Sequence, residues 1–155
     1  MRIEQIGDDS EARTQVLALA DELDQRRYVE RVYEHSDQTL LLGAFEGDAC
    51  VGFLVLLIQV IGRDAGRPPI LRDEAPLREG YVEAFAVHPR YRRRGIGQHL
   101  QEHAIELSIA RECYQIRSRS PLTSRENYAL KLKMGYAIHP SDENDSYFFI
   151  KRIEA

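Results

Sequence analysis

The feature that most constrains the fold is the stretch from Tyr81 to Gly97, with the sequence YVEAFAVHPRYRRRGIG. Its apolar first part is typical of a strand, which ends at Pro89 because proline has no N–H for a sheet ladder. A basic turn and two glycines around Ile96 follow, and then an amphipathic helix pattern begins. Strand, short turn and helix in this order leave free backbone N–H groups at the positive end of the helix dipole. The stretch therefore predicts an anion-binding site.

The rest of the chain predicts an α/β domain with a mixed sheet. Strands are expected at residues 2–6, Thr39 to Phe45, Ala49 to Ile61, Tyr114 to Ser118, Tyr136 to His139 and Tyr147 to Ile153. Helices are expected from Ala12, within residues 24–38, from Ile96 to about Glu112 and from Pro121 or Thr123 to Gly135, with Asp8, Asp9 and Ser10 as capping candidates for the first. The run 49–61 lacks alternation, which is typical of a strand covered on both faces. The segment Gly62 to Gly80 contains three prolines and is expected to be a long loop.

Composition narrows the class of protein. A chain of 155 residues fits one domain, 1–155, and its net charge of -4 argues against a nucleic-acid partner, which usually meets a basic face. The longest apolar run is too short for a membrane span, and the amino terminus has no signal-like segment. Cys50 and Cys113 are expected to be buried free thiols. These features favour a cytoplasmic protein without a membrane partner.

Two common phosphate-binding motifs do not fit the glycine turn. A P-loop needs Gly-Lys-Ser/Thr, and a Rossmann fingerprint needs a third glycine where His99 and Leu100 stand. His99 and His103 are spaced i,i+4, but no residue is placed to complete a metal site, and no metal is expected.

The stretch instead resembles the core motif of the GNAT N-acetyltransferase superfamily. That motif runs strand, Val-x-Pro, Arg/Gln-x-x-Gly-x-Gly/Ala, and the matching residues are Val87, Pro89, Arg92, Gly95 and Gly97. The Met134-Gly135-Tyr136 ending of the penultimate helix is also similar to the family, as is the order of the elements. The resemblance implies a mixed, mostly antiparallel sheet of six to seven strands flanked by about four helices.

The resemblance also implies acetyl-CoA as co-substrate. In that family the turn amides hold the diphosphate, and the pantetheine pairs with the main chain of the preceding strand. The expected coenzyme-binding residues are Phe85, Ala86, Val87, Arg92, Arg93, Arg94, Gly95, Ile96, Gly97 and Ser124. Backbone N–H groups near Phe85 to Val87, where the family has a β-bulge, would polarise the acetyl carbonyl.

Glu83 is the candidate general base, because several family members have a similar glutamate that deprotonates the amine. The alternative is a surface-facing glutamate without a role. The family's usual tyrosine proton donor is replaced by Lys131, and Tyr128, one helical turn earlier, is the candidate substitute. Lys131 itself could stabilise the thiolate, or could be an ordinary exposed lysine.

The acceptor is less constrained than the coenzyme. The segments that form the acceptor site in this family contain acidic residues, among them Asp24, Glu30, Asp142, Glu143 and Asp145, which favour a primary amine of a cationic small molecule. Arginines in the same segments, such as Arg26 and Arg27, weaken this inference. A protein or peptide amine is the alternative acceptor, and a non-catalytic acyl-CoA-binding or sensing module is the alternative function. A homodimer is possible, since many relatives dimerise.

Overall fold

The computed structural model describes residues 1–154 as one seven-stranded sheet with helices on both faces. The main strands are β1 (Arg2–Gln5), β2 (Gln38–Glu46), β3 (Ala49–Val60), β6 (Arg78–Val87), β7 (Gln115–Pro121), β8 (Ala137–Pro140) and β9 (Ser146–Arg152), and the helices are α1 (Glu11–Glu22), α2 (Arg26–Glu30), α3 (Ile96–Ala110) and α4 (Arg125–Lys133). A separate two-stranded hairpin is formed by β4 (Leu71–Arg72) and β5 (Ala75–Pro76).

The sheet is mixed, with strand order β1-β2-β3-β6-β7-β9-β8. All neighbouring strands are antiparallel except β6 and β7, which are parallel. This arrangement, with four α-helices, confirms the architecture that the resemblance implies. The β6–β7 pair is joined through α3, as a parallel connection requires.

Strand β3 separates two hydrophobic clusters, which explains its continuous apolar sequence. Leu54 and Leu56 pack on the α3 side, and Phe53 and Val55 pack on the α1 side. The expectation of a central strand covered on both faces is confirmed. Because every position from Val51 to Val60 is buried, the strand has no polar face to alternate with.

Most predicted elements lie within a few residues of the observed ones, but the long loop was predicted too long. Strand β6 begins at Arg78 rather than at Tyr81, so the connection after β3 is shorter than Gly62 to Gly80. Polar residues can belong to this strand because the buried Glu79 carboxylate accepts hydrogen bonds from Gln59, Gln115 and Arg117.

The structure also tests the predicted cap of α1 and the predicted burial of the two cysteines. Ser10 caps α1, since its hydroxyl accepts a hydrogen bond from the amide of Arg13 at 3.1 Å. Cys113 is buried and Cys50 is half-buried, and both are free thiols. No helix in the described part of the chain is long and apolar enough to cross a membrane.

Candidate active site

A β-bulge in β6 falls at Glu83. Ala84 pairs with Val55 and Val82 pairs with Leu56, so Glu83 is the extra residue in the register. The two neighbours of Glu83 consequently pack on opposite faces of the sheet, Val82 on the α3 side and Ala84 on the α1 side. The sequence placed the bulge near Phe85 to Val87; the register places it earlier, at the candidate base.

The sheet opens directly after this bulge. The parallel pairing of β6 with β7 ends at Val82 and Ser118. Beyond that point β6 remains paired with β3 as far as Val87, and β7 remains paired with β9 as far as Pro121. A gap in the sheet therefore separates two strands that are each paired on their outer side, and the edge of β6 that faces β7 is free of a neighbouring strand.

A cleft of about 910 Å³ lies at the mouth of this gap. Its walls are the end of β6, the turn before α3 and the exposed side of α4. Gly95 caps α3 in the left-handed region with φ 79°, a conformation that favours glycine. The first helical amide with a carbonyl partner is that of His99, which donates to Gly95 O at 3.0 Å, so the preceding amides lie at the open helix end.

The turn is shaped for close approach of an anion. A Cβ on Gly97 would lie 3.0 Å from the Phe85 ring and would narrow the cleft between β6 and α4. Arg92 folds back over the strand, and its Nε donates to Val87 O at 3.4 Å. Free amides, glycine and flanking guanidinium groups fit the diphosphate of a coenzyme.

Nine of the ten predicted coenzyme residues line this cleft: Phe85, Ala86, Val87, Arg92, Arg93, Gly95, Ile96, Gly97 and Ser124. Arg94 does not line it; its guanidinium lies 5.0 Å from the centroid of the Tyr91 ring. The cleft also includes Gln98, Arg125 and Lys133, which sequence reasoning missed. Both basic residues of α4 lie outside the glycine motif, and only the packing of α4 against α3 brings them to the cleft.

Glu83 lies in a second, smaller pocket of about 280 Å³ on the α2 side of the sheet. Tyr28, Tyr81, Arg119 and two carboxylates of the β8–β9 loop, Glu143 and Asp145, line it as well. Burial raises the pKa of Glu83 above its usual range, and the nearby Arg31, His35 and Arg119 partly oppose this rise. The structure thus brings the candidate base into a pocket next to the point where the coenzyme cleft begins.

Tyr128 lines neither cavity. Its hydroxyl donates to Ser120 O at 3.0 Å, and its ring packs edge-on against Phe149 with the centroids 4.9 Å apart. The neighbouring Asn127 also reaches Ser120, through a 2.6 Å hydrogen bond to its hydroxyl. Both contacts tie α4 to β7, and a proton-donor role for Tyr128 stays a prediction that this orientation does not favour.

Lys131 is not an exposed helix lysine, and that interpretation was wrong. Its side chain is 1% exposed, and Nζ donates to Gln101 Oε1 at 2.9 Å and lies 4.3 Å from the centroid of the Tyr136 ring. Burial lowers the pKa of Lys131 to about 7. The residue lies in the core between α3 and α4 and does not line the coenzyme cleft.

Several acidic residues behind the expectation of a cationic acceptor already have arginine partners. Glu30 pairs with Arg26, Asp24 with Arg27, and Asp142 and Glu143 with Arg119. These exposed pairs reduce the net negative charge available to an acceptor. Asp145 remains as a pocket carboxylate without an ion pair among residues 1–154.

Comparisons with known proteins agree with this geometry. The model of the Acetyltransferase (GNAT) family matches residues 8–136. N-alpha-acetyltransferase 30 of Xenopus laevis is 27% identical over 109 residues, which cover 70% of this chain but only 36% of that protein's length.

Two solved structures share the fold over nearly the whole of both chains. Arabidopsis thaliana NAA60 in complex with a bisubstrate analogue has a TM-score of 0.71 at 15% identity, covering 97% of this chain and 98% of that one. The PaiA N-acetyltransferase of Thermoplasma acidophilum in complex with coenzyme A has a TM-score of 0.67 at 15% identity, covering 98% and 99%.

Proposed function

Because the chain belongs to the acetyltransferase (GNAT) family, we propose that it transfers the acetyl group of acetyl-CoA to a primary amine. The observation that carries this proposal is the gap between β6 and β7, at which a coenzyme-sized cleft is lined by Phe85 to Val87 and a second pocket is lined by Glu83 on the same strand. The turn amides and Arg92 would hold the diphosphate, and the free edge of β6 would pair with the pantetheine. The acetyl group would then lie near the bulge.

Glu83 is proposed to accept the proton of the attacking amine. An amine with a pKa near 10.4 costs about 4.6 kcal/mol to deprotonate at pH 7, from about 3.4 units at 1.36 kcal/mol each. A carboxylate whose pKa is raised by burial is a stronger base than an exposed one. As the nitrogen bonds to the acetyl carbon, its proton passes to Glu83, and the carbon–sulfur bond breaks.

The leaving group places a smaller demand on the protein. A thiol with a pKa near 8.5 makes the thiolate unfavourable by only about 2 kcal/mol at pH 7. A dedicated proton donor is therefore less important than the base, which agrees with the orientation of Tyr128 and Lys131 away from the cleft. Backbone amides at the end of β6 would polarise the carbonyl oxygen.

We propose a cationic amine as the first candidate acceptor. Three carboxylates and one guanidinium line the smaller pocket, which favours a positively charged group there. Tyr28 and Tyr81 supply aromatic walls against which an ammonium group can also pack.

A protein or peptide amine is the second candidate acceptor. The similarity to an N-alpha-acetyltransferase and to a structure bound to a bisubstrate analogue supports it. The chain spans about a third of the length of that N-alpha-acetyltransferase, so the substrates of the longer protein do not transfer directly to this one.

The test is a thioester-consumption assay with acetyl-CoA across polyamines, aminoglycosides, lysine derivatives and peptides with free amino termini. Turnover that is lost in Glu83→Gln and retained in Glu106→Gln, an exposed carboxylate on α3, supports the proposed base. Full turnover by Glu83→Gln at pH 7 would remove Glu83 from that role. Tight coenzyme binding with no turnover on any amine up to pH 9 would instead indicate a binding or sensing module.

A further inference from the structure

Arg119 connects the pocket that contains Glu83 to the β8–β9 loop. It follows Ser118, the last residue of β7 that pairs with β6. Its guanidinium reaches Asp142 at 2.5 Å and Glu143 at 3.3 Å on the β8–β9 loop, and lies 5.1 Å from the centroid of the Phe148 ring. Arg119 and Glu143 both line the pocket that contains Glu83.

We propose that Arg119 is a positioning residue of the acceptor pocket, which holds the β8–β9 loop in place and supplies a positive charge beside Glu83. This inference rests on the proposed function, because it assigns the pocket to the acceptor. The guanidinium pairs with Asp142 and Glu143 on the loop. It also lines the same pocket as Glu83 on the bulge, and its charge opposes the rise in the pKa of that carboxyl. One side chain therefore affects both the position of the loop and the charge around Glu83.

The charges around Glu83 come from every element that surrounds it. The basic groups are Arg31 and His35 after α2 and Arg119 on β7. The carboxylates are Asp64 after β3 and, in the pocket lining, Glu143 and Asp145 on the β8–β9 loop. The hydroxyls of Tyr28, Tyr33 and Tyr81 lie nearby. Asp64 is engaged by Arg117 at 3.0 Å. Arg119 is therefore the cation whose effect on Glu83 depends directly on the loop.

This arrangement predicts opposite effects from two substitutions that each weaken the attachment of Arg119 to the loop. Arg119→Gln removes the positive charge and leaves Glu83 facing the pocket carboxylates Glu143 and Asp145, which raises the pKa of Glu83 further. Asp142→Asn removes a carboxylate that does not line the pocket and leaves more of the Arg119 charge uncompensated, which lowers the pKa of Glu83. If Arg119 only supported the loop, both variants would shift the pKa of Glu83 in the same direction.

The experiment is a carbon-13 NMR titration of the Glu83 carboxyl in the coenzyme-free full chain, assigned by its loss in Glu83→Gln. We expect shifts of about half a pH unit, upward in Arg119→Gln and downward in Asp142→Asn, with Arg119→Lys close to wild type. Shifts of the same sign, or no shift in Arg119→Gln, would overturn the proposal. Coenzyme affinity within about twofold of wild type in each variant shows that the fold and the larger cleft are intact.

The kinetic arm uses the best acceptor from the amine panel. Arg119→Gln, which loses both pairs with the loop, should raise the acceptor KM by about tenfold, and Asp142→Asn, which loses one, should raise it less. The KM for acetyl-CoA should stay unchanged in both variants. An unchanged acceptor KM in both variants would refute the loop-positioning part. The titration needs no turnover, so it tests the role of Arg119 independently of the proposed activity. Opposite shifts in the pKa of Glu83 in a protein that acetylates no amine would support the role of Arg119 and reject the acetyltransferase proposal.

Discussion

Replacing Lys131 by methionine should make the protein more stable at neutral pH. Within residues 1–154, the wild-type ammonium is buried between α3 and α4, where it donates a hydrogen bond to Gln101 and lies over the Tyr136 ring. No carboxylate lies within 4 Å of its Nζ among residues 1–154. Methionine has a similar length, fills irregular space and carries no charge.

The magnitude follows from the shift in the pKa of Lys131. Burial lowers it from 10.5 to about 7, so at pH 7 the unfolded chain binds a proton that the folded chain holds only half of the time. Integrated over this range, the loss of stability is about 4 kcal/mol at pH 7 and about 2 kcal/mol at pH 9. Losing the hydrogen bond to Gln101 offsets about 1 kcal/mol of the gain. The methionine variant should therefore be more stable by about 3 kcal/mol at pH 7 and about 1 kcal/mol at pH 9.

The sign is fixed by the direction of the shift. A lysine whose pKa is lower in the folded state destabilises the protein at low pH, and the penalty fades as pH rises from about 7 toward 10.5. Wild-type stability should rise with pH relative to the variant. Other groups with raised pKa values, such as Cys113 at about 11, titrate in both proteins and cancel in the difference.

Urea denaturation at pH 7, 8 and 9 measures this difference directly. Lys133→Met on the exposed side of the same helix is the matched control for replacing a lysine of α4 by methionine. A Lys131→Met variant whose stability relative to wild type is the same at pH 7 and pH 9 would refute a buried lysine with a lowered pKa. So would a variant that is less stable than wild type at pH 7.

Gly97→Ala should weaken acetyl-CoA binding by about tenfold, because its Cβ would crowd the Phe85 ring at the cleft, and titration calorimetry measures this loss. The free energy of unfolding, measured by urea denaturation, should stay unchanged or rise, because alanine favours the helix. Gly80→Ala should destabilise the fold by about 2 kcal/mol, because a Cβ would lie 2.2 Å from the hydroxyl of the buried Ser108. Adding Ser108→Ala to the same chain should recover most of that loss, as measured by urea denaturation. The acidic limb of kcat/KM for an amine should lie above the pH range of an ordinary glutamate, because burial raises the pKa of Glu83, and initial rates from pH 5 to 9 would reveal it.

Each of these predictions has a control. Gly7→Ala, where a Cβ meets nothing within 4 Å, should leave coenzyme affinity unchanged, and an unaltered affinity in Gly97→Ala would contradict a tight cleft at that point. Additive losses in the Gly80 and Ser108 double variant would show that the two do not compete for space. An acidic limb that is identical in Glu83→Gln would assign that titration to another group.

Local chemistry in the sequence was sufficient to predict the strand, turn and helix that form one wall of the larger cleft. Strand, proline, basic turn and glycine are properties of consecutive residues, so Val87, Gly95 and Gly97 could be placed without knowing the rest of the fold. The same is true of the hairpin and its central strand, because an uninterrupted apolar run already indicates burial on both faces. Ser124, which was expected from the resemblance to the family, lines the larger cleft as well.

What only the tertiary structure decided depends on contacts between residues far apart in the chain. Glu79 lies inside a strand, and not in a polar loop, because Gln59, Gln115 and Arg117 satisfy its carboxylate. Lys131 is buried because α4 packs its side chain against α3, and helical periodicity in a largely polar segment gives no sign of this.

The pocket that contains Glu83 shows most clearly which features depend on the fold and not on the local sequence. In the sequence, Asp142 and Glu143 count as free negative charge, whereas in the fold Arg119 from β7 pairs with both. The bulge at Glu83 likewise appears only when β6 is aligned with β3. A motif within one segment predicts how backbone amides are arranged for an anion. Charge pairing and strand register are properties of several segments together, and they define the pocket that contains Glu83.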